Sequence, residues 1–129
     1  MKFASRVYLV AGIIGLIEIV PMYFSESLWG DFFPPQITHP ELYYGFAGVT
    51  LAWQILFLLL SRDPMRFRPL MLPTVLEKAA YVAAALVLFA GSRMAAGLMG
   101  SVGIDAVLGV LFLVAYVRTG GETISQKVT

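Results

Sequence analysis

The strongest constraint on the fold is an apolar run from about Leu42 to Leu60 that ends directly in Ser61-Arg62-Asp63-Pro64-Met65-Arg66-Phe67-Arg68-Pro69. A helix needs roughly 20 apolar residues to cross about 30 Å of hydrocarbon, and this run supplies them. The arginines Arg62, Arg66 and Arg68, broken up by Pro64 and Pro69, predict a loop held at the cytoplasmic face. Cytoplasmic loops concentrate Lys and Arg, and anionic headgroups attract them.

Three more apolar stretches flank this one, at about 7–24, 75–91 and 98–117, the third span starting as early as Leu70. Only 13% of the 129 residues are charged, against about a quarter in a soluble domain, so a soluble fold is excluded. No connecting segment has room for a second domain. The expected fold is therefore all-α: one integral-membrane domain, a four-helix up-down bundle with spans at about 7–24, 42–60, 75–91 and 98–117. Residues 119–129 read as a flexible cytoplasmic tail.

The net charge of +1 carries no information, but its distribution does. With the N-terminus inside, Lys2, Arg6, Arg62, Arg66, Arg68, Arg118 and Lys127 fall on the cytoplasmic side, and only Arg93 falls outside. That bias predicts both termini inside, N-in and C-in. His39, Glu26, Asp31 and Glu41 then lie on the outer side. The lead Lys2 to Arg6 into an apolar stretch resembles a signal peptide, but Glu18 interrupts it and no A-x-A site follows, so a retained first helix is expected. The absence of cysteine rules out disulfides, thiol catalysis and thiolate metal sites.

Local signals refine the spans. Ala11, Gly12 and Gly15 offer a small-residue surface in the first helix, and Ala79, Ala80, Ala83, Ala84 and Ala85 offer one in the third. Pro21 predicts a kink near Glu18, because it lacks a backbone donor. The aromatic, proline-broken segment Ser25 to Pro40 is expected to lie along the outer interface, with a lid over the bundle as the alternative. Pro40 and Glu41 suit the start of the second helix. Tyr43, Ala47, Thr50, Gln54 and Phe57 share one face of it, which should look inward. Thr74-x-x-Glu77 matches a capping box, and Lys78 is placed to snorkel to the nearby surface, with pairing to an acid inside the bundle as the alternative.

Glu18 and Asp105 are the acidic residues deep in the spans with no helix-end role. Each lies about 10 Å below the outer surface by helical rise. First and fourth helices of an up-down bundle are usually neighbours, so the two carboxyls are expected to share a pocket. Ser101 and Gly109 flank Asp105 on its own face, which turns it inward. Charge at that depth is costly and two close carboxylates oppose double ionisation, so such a pair can carry a proton, bind a cation, or act as general acid and base. The competing role is polar glue, hydrogen-bonded to Tyr43, Tyr44 or Thr50. His39 could dip toward the same pocket. No metal-ligand spacing, glycine-rich phosphate loop, nucleophile elbow or nucleic-acid stripe occurs, so no metal, cofactor or nucleic-acid partner is expected.

Thr38-His39-Pro40-Glu41-x-Tyr43-Tyr44-Gly45-Phe46, with Trp53-Gln54 and Asp63-Pro64-x-Arg66-x-Arg68-Pro69, resembles small four-helix inner-membrane proteins of bacteria. In size and layout the chain is similar to DoxX-like proteins, a likeness of architecture that carries over no functional residue. Small multidrug-resistance transporters also have four helices and a glutamate in the first. Glu18 is the one position that maps onto theirs, and it lies nearer the outer surface than their mechanism needs.

The functional expectation is a non-enzymatic multi-pass protein, either an accessory or assembly subunit or a binder of lipid or small hydrophobic molecules. Its pocket would draw on Glu18, Asp105, Tyr43, Tyr44, Thr50 and His39, with Arg62, Arg66 and Arg68 as the cytoplasmic loop. Membrane lipids are the expected partners, together with a second copy or another membrane protein. The alternatives are a proton- or cation-coupled transporter and an integral-membrane enzyme, each using Glu18 and Asp105.

Overall fold

The structure is a computed structural model that describes the backbone of residues 2–128 and the side chains through Gly121. It is all-helical, with no strand among the described residues. The α-helices are α1 (Lys2–Ile19), α2 (Glu26–Phe32), α3 (Pro40–Arg62), α4 (Met71–Ala90) and α5 (Met99–Val128), joined in part by 3-10 turns at Val20–Phe24, Arg68–Leu70 and Ala96–Leu98. Four stretches, Lys2–Phe24, Pro40–Arg62, Arg68–Ala90 and Ala96–Gly121, are long and apolar enough to cross a membrane. At most 39% of any of them is buried inside the bundle, so most of their apolar side chains face outward, the reverse of a soluble bundle.

The helix ends follow from the sequence. α1 gives way to a 3-10 turn at Val20, one residue before Pro21 removes a backbone donor, and the Ser25 hydroxyl donates to the Pro21 carbonyl at 2.8 Å. α3 opens with His39 at the cap, Pro40 in the first turn and Glu41 at the positive end. It stops at Asp63, whose φ −148° and ψ 74° lie outside the helical region, which a following proline disfavours. α4 closes through Ser92, held at φ 58°, with the Arg93 amide reaching back to the Leu88 carbonyl at 2.8 Å.

Several expectations need correction. A fifth, short helix, α2, which the four-helix expectation did not include, occupies part of the aromatic segment between the first two spans. α4 begins at Met71, near the earlier of the two expected starts, so Pro73 sits within its first turn, where no intrahelical donor is required. The Thr74–Glu77 capping box is therefore absent: Thr74 donates instead to the Met71 carbonyl at 2.6 Å and accepts from the Tyr8 hydroxyl at 2.7 Å. Ala79, Ala80, Ala83 and Ala84 are exposed, and only Ala85 of that set is buried. The last helix does not end at Arg118 but continues to Val128, with Thr119 1% exposed. Thr129 lies outside the described residues.

Packing divides the interior in two. α1 lies between α3 and α5, and α4 packs on the other side of α5. α3 and α4 make no comparably extensive contact, so the bundle is open on that side. At the end that carries the Asp63–Phe67 loop, Tyr8, Phe57, Phe112, Leu60 and Met71 form a dense core. The Tyr8 and Phe112 rings stack at 4.4 Å, and Phe57 tilts against Phe112 at 5.0 Å. At the α2 end, Ile19, Met22, Tyr43 and Ala47 make a smaller cluster, with Trp29 packed on it. The helices meet closely where α1 has glycine: a methyl group on Gly15 would collide with the Gln54 amide, and one on Gly12 would press on Leu58.

Candidate functional site

Between the two clusters lies a cavity of about 370 Å³, on the side where α3 and α4 are apart. The long helices contribute through residues at helical spacing: Ala11, Gly15 and Glu18 from α1, Phe46, Thr50 and Gln54 from α3, Glu77, Lys78 and Tyr81 from α4, Ser101, Asp105 and Leu108 from α5, with Met22 added by the turn after α1. Trp29 and Phe33 of the α2 segment close its end. Phe33 reaches across to Gly97, where a β-carbon would meet its ring at 3.1 Å. Leu28 and Phe32, on the opposite side of α2, are exposed. The segment thus turns one apolar face outward and the other to the cavity.

The floor of the cavity is charged. Lys78 Nζ lies 2.9 Å from Asp105 Oδ1 and 3.5 Å from Glu77 Oε2, with its side chain only 7% exposed. Gly109 lets α5 come close to the Lys78 stem, and Nζ sits 5.5 Å from the Phe57 ring. Glu77 Oε2 is buried and accepts no hydrogen bond. Glu18 lies within electrostatic reach of Asp105 and Lys78, yet has no hydrogen-bond or ion-pair partner among the described residues. Above the ion pair, the Tyr81 hydroxyl approaches Ser101 Oγ at 3.4 Å while Ser101 donates to the Leu98 carbonyl. Gln54, 2% exposed, donates to the Thr50 carbonyl at 3.0 Å.

Of the residues singled out in the sequence, Glu18, Asp105 and Thr50 line this one cavity. Tyr43 does not: it is buried against α1 and donates to the Met22 carbonyl at 2.7 Å. Tyr44 points to the surface and donates to Glu26 at 3.0 Å. His39 stays exposed, 3.2 Å from Glu41, away from the cavity. Among the described residues no cluster of His, Asp and Glu could hold a metal ion.

Arg62 and Arg66 are exposed on the loop side, Arg66 stacking over Phe67 at 5.4 Å. Arg68 behaves differently. Its guanidinium donates to the Tyr116 carbonyl at 2.9 and 3.2 Å and to Thr119 Oγ1 at 3.2 Å, and lies 3.8 Å from the centre of the Tyr116 ring.

Sequence reasoning left out Glu77, Lys78, Tyr81 and Ser101 as cavity residues. The signal was present: Thr74, Glu77, Lys78 and Tyr81 recur at one helical face, as do Leu98, Ser101, Asp105, Leu108 and Phe112 on α5. Chemically, the arrangement is an apolar and aromatic chamber with one amine and three carboxyl groups at its floor, concave and mostly apolar with a few polar groups, as small-molecule sites are. Comparison of the chain with protein families, with curated proteins and with solved structures finds no match.

Proposed function

We propose that the protein is a non-enzymatic, multi-pass protein of the bacterial inner membrane that binds a small amphiphilic molecule drawn from the lipid. The observation that carries this reading is the cavity itself, with apolar walls, a charged floor and an open side between two helices whose outer faces are apolar. A ligand already dissolved in the bilayer would reach it laterally, with no need to pass through the polar interface. In this reading both termini and the Arg62–Arg68 loop face the cytoplasm, and α2 lies at the outer surface.

The Lys78 ion pair favours binding over coupled transport or acid–base catalysis by Glu18 and Asp105. Either alternative needs Asp105 as an unengaged carboxyl, and its Oδ1 is held by the Lys78 ammonium at 2.9 Å.

Decanol serves as a probe of the apolar chamber. Native mass spectrometry of the protein released from lipid nanodiscs should show a decanol adduct that Thr50→Trp, which fills the cavity from α3, removes while thermal unfolding stays cooperative. An adduct unchanged by Thr50→Trp would place binding elsewhere and overturn the reading.

A further inference from the structure

The charges at the floor do not balance. Lys78 supplies one ammonium against Asp105, Glu77 and Glu18, and its short contact, 2.9 Å, goes to Asp105. Glu77 Oε2 is 3.5 Å from the same nitrogen and makes no hydrogen bond. Glu18 has no partner at all among the described residues and is the accessible carboxylate of the three, lining the cavity beside Ile14 and Ile19. Two carboxylates thus remain without a hydrogen-bonded counter-charge in apolar surroundings, where an uncompensated charge is costly.

Besides a proton on the carboxyl itself, three kinds of group could correct the imbalance. A metal ion needs several converging oxygens, and the described residues provide no such cluster. A quaternary ammonium brings charge but no donor, and leaves the lone pairs of Glu18 without a hydrogen bond to accept. A protonated amine brings both, in charge-assisted hydrogen bonds that are about twice as strong as neutral ones. The aromatic rings of Trp29, Phe33 and Phe46 suit the carbons next to such a head and the chain that follows it.

We propose that the cavity selects amphiphiles whose head is a protonated primary or secondary amine, received by the Glu18 carboxylate, with Glu77 adding attraction from the α4 side. The alkyl portion lies beneath Trp29 and Phe33 and leaves toward the open side between α3 and α4. This deepens the binding reading of the same cavity and rests on it.

The test compares decylamine, decyltrimethylammonium and decanol, which share one chain and differ in charge and donor capacity, by competition for the protein in nanodiscs of zwitterionic lipid. Expected is at least about tenfold tighter binding of decylamine than of the other two, the size of one charge-assisted hydrogen bond. Glu18→Gln should erase that preference and leave decanol binding intact; because Glu18 is accessible and unpartnered, the variant should fold. Glu77→Gln should reduce the preference by a smaller factor. Equal binding of decanol and decylamine, or an amine preference that survives Glu18→Gln, overturns the amine assignment alone. Decyltrimethylammonium matching decylamine overturns the donor requirement and with it the proposal. Failure of all three to bind overturns both this inference and the binding reading.

Discussion

Lys78 Nζ lies 2.9 Å from Asp105 Oδ1 and ties α4 to α5 at the floor of the cavity, with side chains 7% and 18% exposed. Removing one member of a buried pair strands the other charge, typically at a cost of about 3–5 kcal/mol, whereas replacing both with apolar residues is often close to neutral. Lys78→Met should therefore destabilise the protein strongly by stranding Asp105. Asp105→Asn should cost less, because Glu77 remains 3.5 Å from the ammonium. The double variant Lys78→Met/Asp105→Leu should be more stable than Lys78→Met alone. Thermal unfolding in micelles followed by circular dichroism reads this directly, and strictly additive losses would show that the pair is not coupled.

Gly15 and Gln54 form a second coupled pair, between α1 and α3. A β-carbon on Gly15 has no room while Gln54 keeps its place, and overpacking of this kind costs about 1–3 kcal/mol. Gly15→Ala should lower the unfolding midpoint, and Gln54→Ala in the same chain should restore most of the loss by clearing the collision. A double-mutant cycle checks this. Losses that merely add would mean that α1 and α3 do not touch here.

Arg68 explains why α5 continues past Arg118. Its fork takes the Tyr116 carbonyl and Thr119 Oγ1 together, and its plane covers the Tyr116 ring. Lysine has neither the fork nor the stacking plane. Arg68→Lys should therefore behave much like Arg68→Ala, each speeding hydrogen exchange at the amides near Thr119 by about tenfold or more, as expected for losing hydrogen bonds to a charged group. Protection retained in Arg68→Lys would reduce the clasp to charge alone.

The long spans were legible because length and apolarity alone define them, and the inward face of α3 was legible because Tyr43, Ala47, Gln54 and Phe57 repeat at helical period and are all buried. Glu18 and Asp105 could be brought to one depth by counting residues. Lys78 could not, and the reason is local. With α4 starting near Val75, Lys78 falls in the first turn, where lysine ordinarily snorkels, and Thr74 with Glu77 imitates a cap. Starting at Met71 moves Lys78 about two turns into the helix and onto the face that meets Asp105. A proline in the first turn reads much like one before it, so Pro73 concealed the shift. Tyr43 and Tyr44 were misplaced for another reason: carbonyl and carboxylate partners on the α1–α2 segment depend on how that segment folds back, which seven helical residues with no sustained period do not announce.

The orientation of the bundle rests on charge. Arg118 lies 4.5 Å from the Phe3 ring, so the start of α1 and the end of α5 share the end that carries Arg62 and Arg66. Arg93, by contrast, follows α4 at the α2 end. Positive charge held on one side during insertion predicts that the loop end is cytoplasmic. Because the chain has no cysteine, single exposed positions can be labelled without background. Ser27→Cys on α2 should react with a membrane-impermeant maleimide on intact cells, and Arg66→Cys only after permeabilisation. The opposite pattern would invert the protein and turn the lid over the cavity toward the cytoplasm.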